Sequence, residues 1–102
     1  MIRSPRYLKA ARGKSCQMRI PGHCNGNPDT VVAAHSNLGR HGKGMGIKAA
    51  DIFTAHACSG CHDAYDGRVR TQYGRDELQE FWQRGFEMTL VAEIAAGVIR
   101  LP

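Results

Sequence analysis

No apolar run in this 102-residue chain approaches the ~18–20 residues needed to span a bilayer. The opening Met1-Ile2-Arg3-Ser4-Pro5 is polar and lacks the apolar core of a signal peptide. A membrane is therefore not an expected partner, and the cytoplasm is the expected compartment. Internal repeats and low-complexity segments are also missing, which argues against a solenoid or a disordered tail. Acidic residues are absent until Asp29, which follows six bases. The length suits a single domain, one large enough for a modest core and small enough to gain from a covalent or metal staple.

The charge that is present is unevenly spread. Residues 1–75 carry 12 Lys and Arg against 4 Asp and Glu, whereas residues 76–102 carry 2 against 5. A basic body of this kind suits a polyanion, most simply nucleic acid, although a solvated basic surface gives the same count. Four cysteines in a reducing compartment more often bind metal than pair as disulfides.

Arg3, Arg6, Lys9 and Arg12 recur every third residue in a stretch that Pro5 can open as a helix and Gly13 can close. They serve either as phosphate contacts or as a solvated arm. Cys16 and Cys24 flank a short strand-like run and a dense turn, Pro21-Gly22-His23-Cys24, with His23 a possible rival ligand. Thr30 to His35 is rich in β-branched residues and reads as a buried strand. A glycine-rich loop, 36–50, carries Arg40, Lys43 and Lys48 as candidate phosphate contacts. Asp51 to His56 reads as a second strand. Ser59 caps a short helix to Asp66, with Asp63 in its first turn and Gly67 as its stop. Leu78, Phe81, Trp82, Phe86, Leu90, Ile94 and Val98 then predict one long amphipathic helix over 75–99. The expected organisation is a single domain: a basic arm and knuckle at 1–29, a ββα core at 30–67 and a covering helix at 75–99.

Two sites follow from these residues. Cys16, Cys24, Cys58 and Cys61 offer four thiolates, the ligand set of a closed structural zinc site that ties the knuckle to the short helix. His62 and Asp66 lie one helical turn apart and can face one ion. Asp63 is the substitute if the helix is offset. His35, at the end of the first strand, can take the proton from a water attacking a phosphodiester while a hard metal steadies the phosphate. The plainer readings make His35 a core histidine, His62 a hydrogen-bond donor behind the cysteine ligand, and Asp66 a helix-end cap or a partner of Arg68. Arg68 is itself a candidate nucleic-acid contact.

Ala34-His35 and Cys58-Ser59-Gly60-Cys61-His62 resemble the corresponding elements of the HNH, or His-Me finger, endonucleases. Four further stretches, 3–13, 16–22, 44–48 and 58–68, resemble a small prophage-encoded nuclease family typified by YbcO. The resemblance implies an α+β, zinc-stapled ββα-metal (HNH-like) fold with a long C-terminal helix. It further implies an endonuclease acting on nucleic acid, DNA before RNA, with His35 as general base and His62 on a catalytic divalent metal such as magnesium. Ala34 stands where many such enzymes carry a metal ligand, and the asparagine that usually precedes the Cys-x-x-Cys is absent. Asp51 and Asn37 are the candidates for those roles. The alternative function is a zinc-stapled module that binds nucleic acid without cutting it. A thiol redox protein using Cys58 and Cys61 would leave Cys16 and Cys24 without a role.

Overall fold

A computed structural model describes residues 2–102 of the chain. Ser4 begins the ordered architecture: its Oγ accepts the N–H of Tyr7 and caps helix α1, Pro5–Lys9, with proline in the first turn where no intrahelical donor is needed. The helix is shorter than the expected run to Gly13. Residues 10–13 continue as a turn that ends at Gly13, φ 76°.

Between Cys16 and Cys24 no strand forms. Arg19 adopts a left-handed conformation, φ 49°, which breaks an extended run, and its Nε donates back to the Cys16 carbonyl at 3.3 Å. Met18 and Ile20 are turned into the core by this bend.

Strands β1, Val32–His35, and β2, Thr54–Ala57, pair antiparallel, with Ala34 opposite Ala55 and His35 opposite Thr54. The second strand starts later than its β-branched composition suggests. Asp51 and Ile52 lie in a turn closed by the bond from the Phe53 N–H to the Ala50 carbonyl, 2.9 Å. The intervening loop has local structure of its own, a single 3-10 turn at Gly39–His41 and a bridge between Gly44 and Ile47.

Helix α2, Ser59–Tyr65, follows β2 directly. Its N-cap is Cys58, and Ser59 supplies no side-chain cap; the Ser59 N–H instead donates to Thr30 Oγ1 at 3.1 Å. Asp63 falls outside the first turn, and Gly67, φ 77°, ends the segment.

Helix α3, Arg75–Ala95, carries Asp76 and Glu77 in its first turn, and Glu77 Oε1 accepts the N–H of Gly74 at 2.9 Å. The apolar stripe read along the sequence holds in the first half, where Trp82 is buried and Leu78, Phe81 and Phe86 pack against the core; beyond it Gly85, Thr89 and Glu93 point inward, while Ile94 and Val98 are each 40% exposed. Close approach of backbone explains this. A Cβ on Gly85 would stand 3.0 Å from Met18 Cγ and 3.2 Å from Met18 Cα. Thr89 Oγ1 accepts the β2 N–H of His56 at 2.9 Å, and fully buried Glu93 meets Lys14 Nζ at 3.1 Å. A polar side chain can be buried at such positions because a partner waits there.

The core on the sheet's inner face consists mainly of small residues, Ala11, Ala34, Ala55, Ala57 and Ala64, around Trp82. Trp82 stacks on Phe86, 5.1 Å between ring centroids, and its Nε1–H donates to the Ala34 carbonyl at 2.9 Å. That bond anchors β1 one residue before His35. No helix among the described residues is long and apolar enough to cross a membrane.

Candidate metal centre and basic cleft

The knuckle and α2 bring four sulfurs together. The ligand atoms of Cys16, Cys24, Cys58 and Cys61 all lie within 4.8 Å of one another, with Cys16 to Cys61 at 3.7 Å and Cys24 to Cys58 at 3.9 Å. Sulfurs about 2.3 Å from a tetrahedral zinc are about 3.8 Å apart, whereas a disulfide needs about 2.05 Å. The spacing fits a shared ion and not two bridges. Two backbone donors are already aimed at the sulfurs, Ile20 N–H to Cys61 Sγ at 3.3 Å and Asn25 N–H to Cys58 Sγ at 3.4 Å. The hydrogen bond to Cys16 and burial push the Cys61 thiol up. Burial, joined by the neighbouring sulfurs, does the same to Cys24. Four soft donors at this spacing, with backbone N–H groups turned towards two of them, form a ligand set suited to a cation. The cluster can therefore hold a metal ion such as zinc. His23 does not join it; its Nε2 lies 2.9 Å from Thr71 Oγ1 instead.

Gly60 shows how closely the knuckle approaches α2. A Cβ there would fall 1.9 Å from the His23 carbonyl oxygen, so the second residue between Cys58 and Cys61 must lack a side chain.

The other face of α2 opens onto a cleft of about 700 Å³. Its walls include His35 from the end of β1, His62 and Asp66 from the end of α2, and the bases Lys9, Arg12, Lys43, Lys48 and Arg68. His62 Nε2 and Asp66 Oδ2 lie 2.9 Å apart. Two neighbouring ligands on one divalent ion, each bonded at ~2.1 Å, stand about 3 Å apart, so the pair fits the edge of such a coordination sphere. Burial alone would raise Asp66, but hydrogen bonds from His62 and Asn37 and the charge of Arg68 hold it below the usual carboxylate range. Arg68 grips Asp63 at 3.0 Å and Asp66 at 3.1 Å, so part of its charge is already engaged. Asn37 reaches the cleft from the start of the loop. Arg40, by contrast, is exposed and lies outside the cleft lining.

Asp51 is bound on both oxygens. Oδ1 lies 2.8 Å from His35 Nε2 and 3.2 Å from Arg3, and Oδ2 accepts the Ser4 N–H at 2.6 Å. Despite burial, the bond from His35 and those from Ser4 and Arg3 hold its carboxyl below the ordinary range. An ionised Asp51 accepting from Nε2–H sets the imidazole tautomer and leaves Nδ1 to take a proton. The sequence reading missed this pairing; it left the basic repeat open between phosphate contact and a solvated arm, and Lys9 and Arg12 line the cleft. The three-residue repeat of bases was the one available signal for their place there.

The fold and its two sites define the class: a small α+β protein with a two-stranded sheet, a C-terminal helix, a four-cysteine cluster able to hold metal, and a basic cleft. The family model described as "Putative nuclease YbcO" matches residues 6–98. "Putative nuclease YbcO" of Escherichia coli K12 and its counterpart from Enterobacteria phage 82 are each 44% identical over 95 residues, covering 90% of this chain and 94% of theirs. A solved structure of a "putative bacteriophage protein" from Escherichia coli K-12 MG1655 aligns with TM-score 0.70 and 40% identity, over 89% of this chain and 99% of that one. The chain belongs to the YbcO family.

Proposed function

We propose that the protein is a metal-dependent endonuclease of the HNH-like, ββα-metal type that hydrolyses phosphodiester bonds in DNA. The nuclease names of its relatives support the activity class. The single observation that carries the mechanism is the meeting of His35, His62 and Asp66 in one cleft rimmed by lysine and arginine.

In this reading β1, β2 and α2 form the catalytic unit, and the four cysteines hold a structural zinc that fixes α2 against the knuckle. Lys9, Arg12, Lys43 and Lys48 bind the phosphates of the strand. His35 Nδ1 accepts a proton from a water as its oxygen bonds to phosphorus and the bond to the leaving sugar oxygen breaks. Asp51 acts as the orienting partner of His35, whose Nε2 lies 2.8 Å from its Oδ1. His62 and Asp66 would hold the divalent ion, magnesium among the candidates, which supplies positive charge beside the phosphate. Fully buried Ala34 faces the core and has no part in that ion's shell; Asn37, bonded to Asp66, supports the shell from the side.

The test is nicking of supercoiled plasmid by zinc-loaded protein with Mg²⁺, Mn²⁺, Ni²⁺ or additional Zn²⁺. Wild type should cut with at least one of these ions. His35→Ala should lose cutting while keeping its zinc content and DNA affinity. Protein that binds DNA but nicks it with none of the four ions would sink the catalytic reading and leave a binding module.

A further inference from the structure

The loop between the strands ends in a feature that the catalytic reading does not use. Gly44, Met45, Gly46 and Ile47 form a tight turn closed on both sides, Gly44 N–H to the Ile47 carbonyl at 3.0 Å and Ile47 N–H to the Gly44 carbonyl at 3.1 Å. Gly46 occupies the third position with φ 69°, where a side chain is disfavoured. The base of the turn is fastened as well: Arg3 donates to the carbonyls of Ala49 and Lys48, and Ala50 N–H donates to the His41 carbonyl at 3.0 Å. On this rigid support Met45 is 101% exposed and Ile47 53% exposed. Full exposure on a turn fastened at its base leaves the Met45 side chain free to enter a partner without first being unpacked from this chain.

Its surroundings indicate which partner. Lys43 and Lys48 flank the turn and both line the basic cleft. Ile47, Gly46 and Lys48 share a second, adjoining cleft with His35 and Asp51. Charge complementarity on both sides of the tip favours a polyanion, and the exposed thioether suits the apolar edge of a base stack.

We propose that Met45, backed by Ile47, is a wedge that enters the base stack of duplex DNA beside the cleft, so that the favoured substrate is duplex that is bent or already locally unstacked. This rests on the nuclease reading for its DNA partner. Cleavage is not needed to test it.

The experiment uses zinc-loaded full-length His35→Ala, to prevent cutting, with and without Met45→Ser, and DNA duplexes carrying 2-aminopurine at successive positions. Binding of the His35→Ala protein should raise fluorescence at one base step, and Met45→Ser should abolish that rise. Affinity for a continuous duplex should fall by up to about tenfold on Met45→Ser, the scale of one lost thioether–base contact. Affinity for the same duplex with a single-base bulge, already unstacked, should fall further, because the contact is lost there with no stacking regained. Equal losses on both duplexes, an unchanged fluorescence signal, or failure of the His35→Ala protein to bind duplex would each overturn the inference. A wild type that unstacks the duplex through Met45 yet never nicks it leaves this inference standing and removes the nuclease reading. A wild type that cuts while Met45→Ser alters neither signal nor affinity does the reverse.

Discussion

Cys61 and His62 are neighbours in the chain, yet they belong to regions built on opposite rules. On the cysteine side Cys58 and Cys61 are wholly buried, the sulfurs face one another, and backbone donors from the knuckle close around them. On the cleft side the side chains of His35, His62 and Asp66 remain 17–25% exposed and meet in pairs beside open space. The first region spends its contacts on shape; the second keeps donor atoms available at a site that solvent can enter. One short helix serves both because successive residues of a helix point about 100° apart, so a cysteine can face inward while the next residue faces the cleft. The comparison teaches that the proposed zinc and the proposed chemistry are mechanically linked but chemically separate.

Removing the metal should break that comparison most severely. Chelation, or Cys58→Ser, is expected to abolish cooperative folding, because the free energy of binding structural zinc, about 10–16 kcal/mol in small peptides, rivals the entire stability of an ordinary domain. Circular dichroism with metal analysis checks it, and an unchanged melt would show the cluster to be dispensable.

His35→Ala should act on the other side alone. Loss of a general base is expected to lower nicking by about 10²–10⁴-fold, with thermal stability and zinc content nearly unchanged. A comparable loss of stability would mean that His35 is chiefly a packing residue.

Gly60→Ala separates the regions from the cysteine side. The new Cβ would collide with the His23 carbonyl, and overpacking of this kind costs about 1–3 kcal/mol. Denaturant titration should register the loss together with weaker zinc retention, while the rate per folded molecule stays close to wild type.

Asp51→Asn sharpens the cleft side. An orienting carboxylate is worth roughly 10–100-fold in activity by analogy with partners of metal-bound histidines. It also carries a pH signature. The folded-state pKa of Asp51 lies below its ordinary 3.8, so its contribution is fully present above 3.8 and is lost as pH falls through the lower folded value. The stability gap between wild type and Asp51→Asn should therefore narrow in acid melts.

The smallest effect is expected at Tyr65, which ties α2 to α3 and to the start of the loop beside the cleft. Its hydroxyl donates to Gln79 Oε1 at 2.8 Å and accepts the Asn37 N–H at 2.9 Å. Burial pushes its pKa up from 10.0 to about 12. A raised pKa of an acid contributes stability below 10 that is lost as pH rises towards 12. Tyr65→Phe should flatten that alkaline decline relative to wild type in melts across the same range.

The cysteine cluster was largely legible beforehand because thiolates at these spacings have few other uses in a reduced protein. The strands and α2 were legible from β-branched runs and from glycine stops, to within a few residues. The inward face of α3 was legible over its first half, where Leu78, Phe81, Trp82 and Phe86 meet the core, and not over its second. Its pattern of large apolar residues points to Ile94 and Val98, whereas the structure buries Gly85, Thr89 and Glu93, positions chosen by how near Met18, His56 and Lys14 approach. Hydrophobic periodicity records transfer from water and carries no information about a backbone from a distant segment that needs room or a hydrogen bond.

The sequence by itself determined which chemistry was available: four soft ligands, a histidine ending one strand, a His–Asp pair one helical turn apart, and an excess of base over the first three quarters of the chain. Those are local facts, set by residue type and short spacing. Only the tertiary structure decided that Asp51 faces His35, that Arg3 and Ser4 hold Asp51, that Lys9 and Arg12 join the cleft while Arg40 stays outside it, and that Met45 projects beside it. These relations join residues far apart in sequence, and they exist only once the chain has closed around its core.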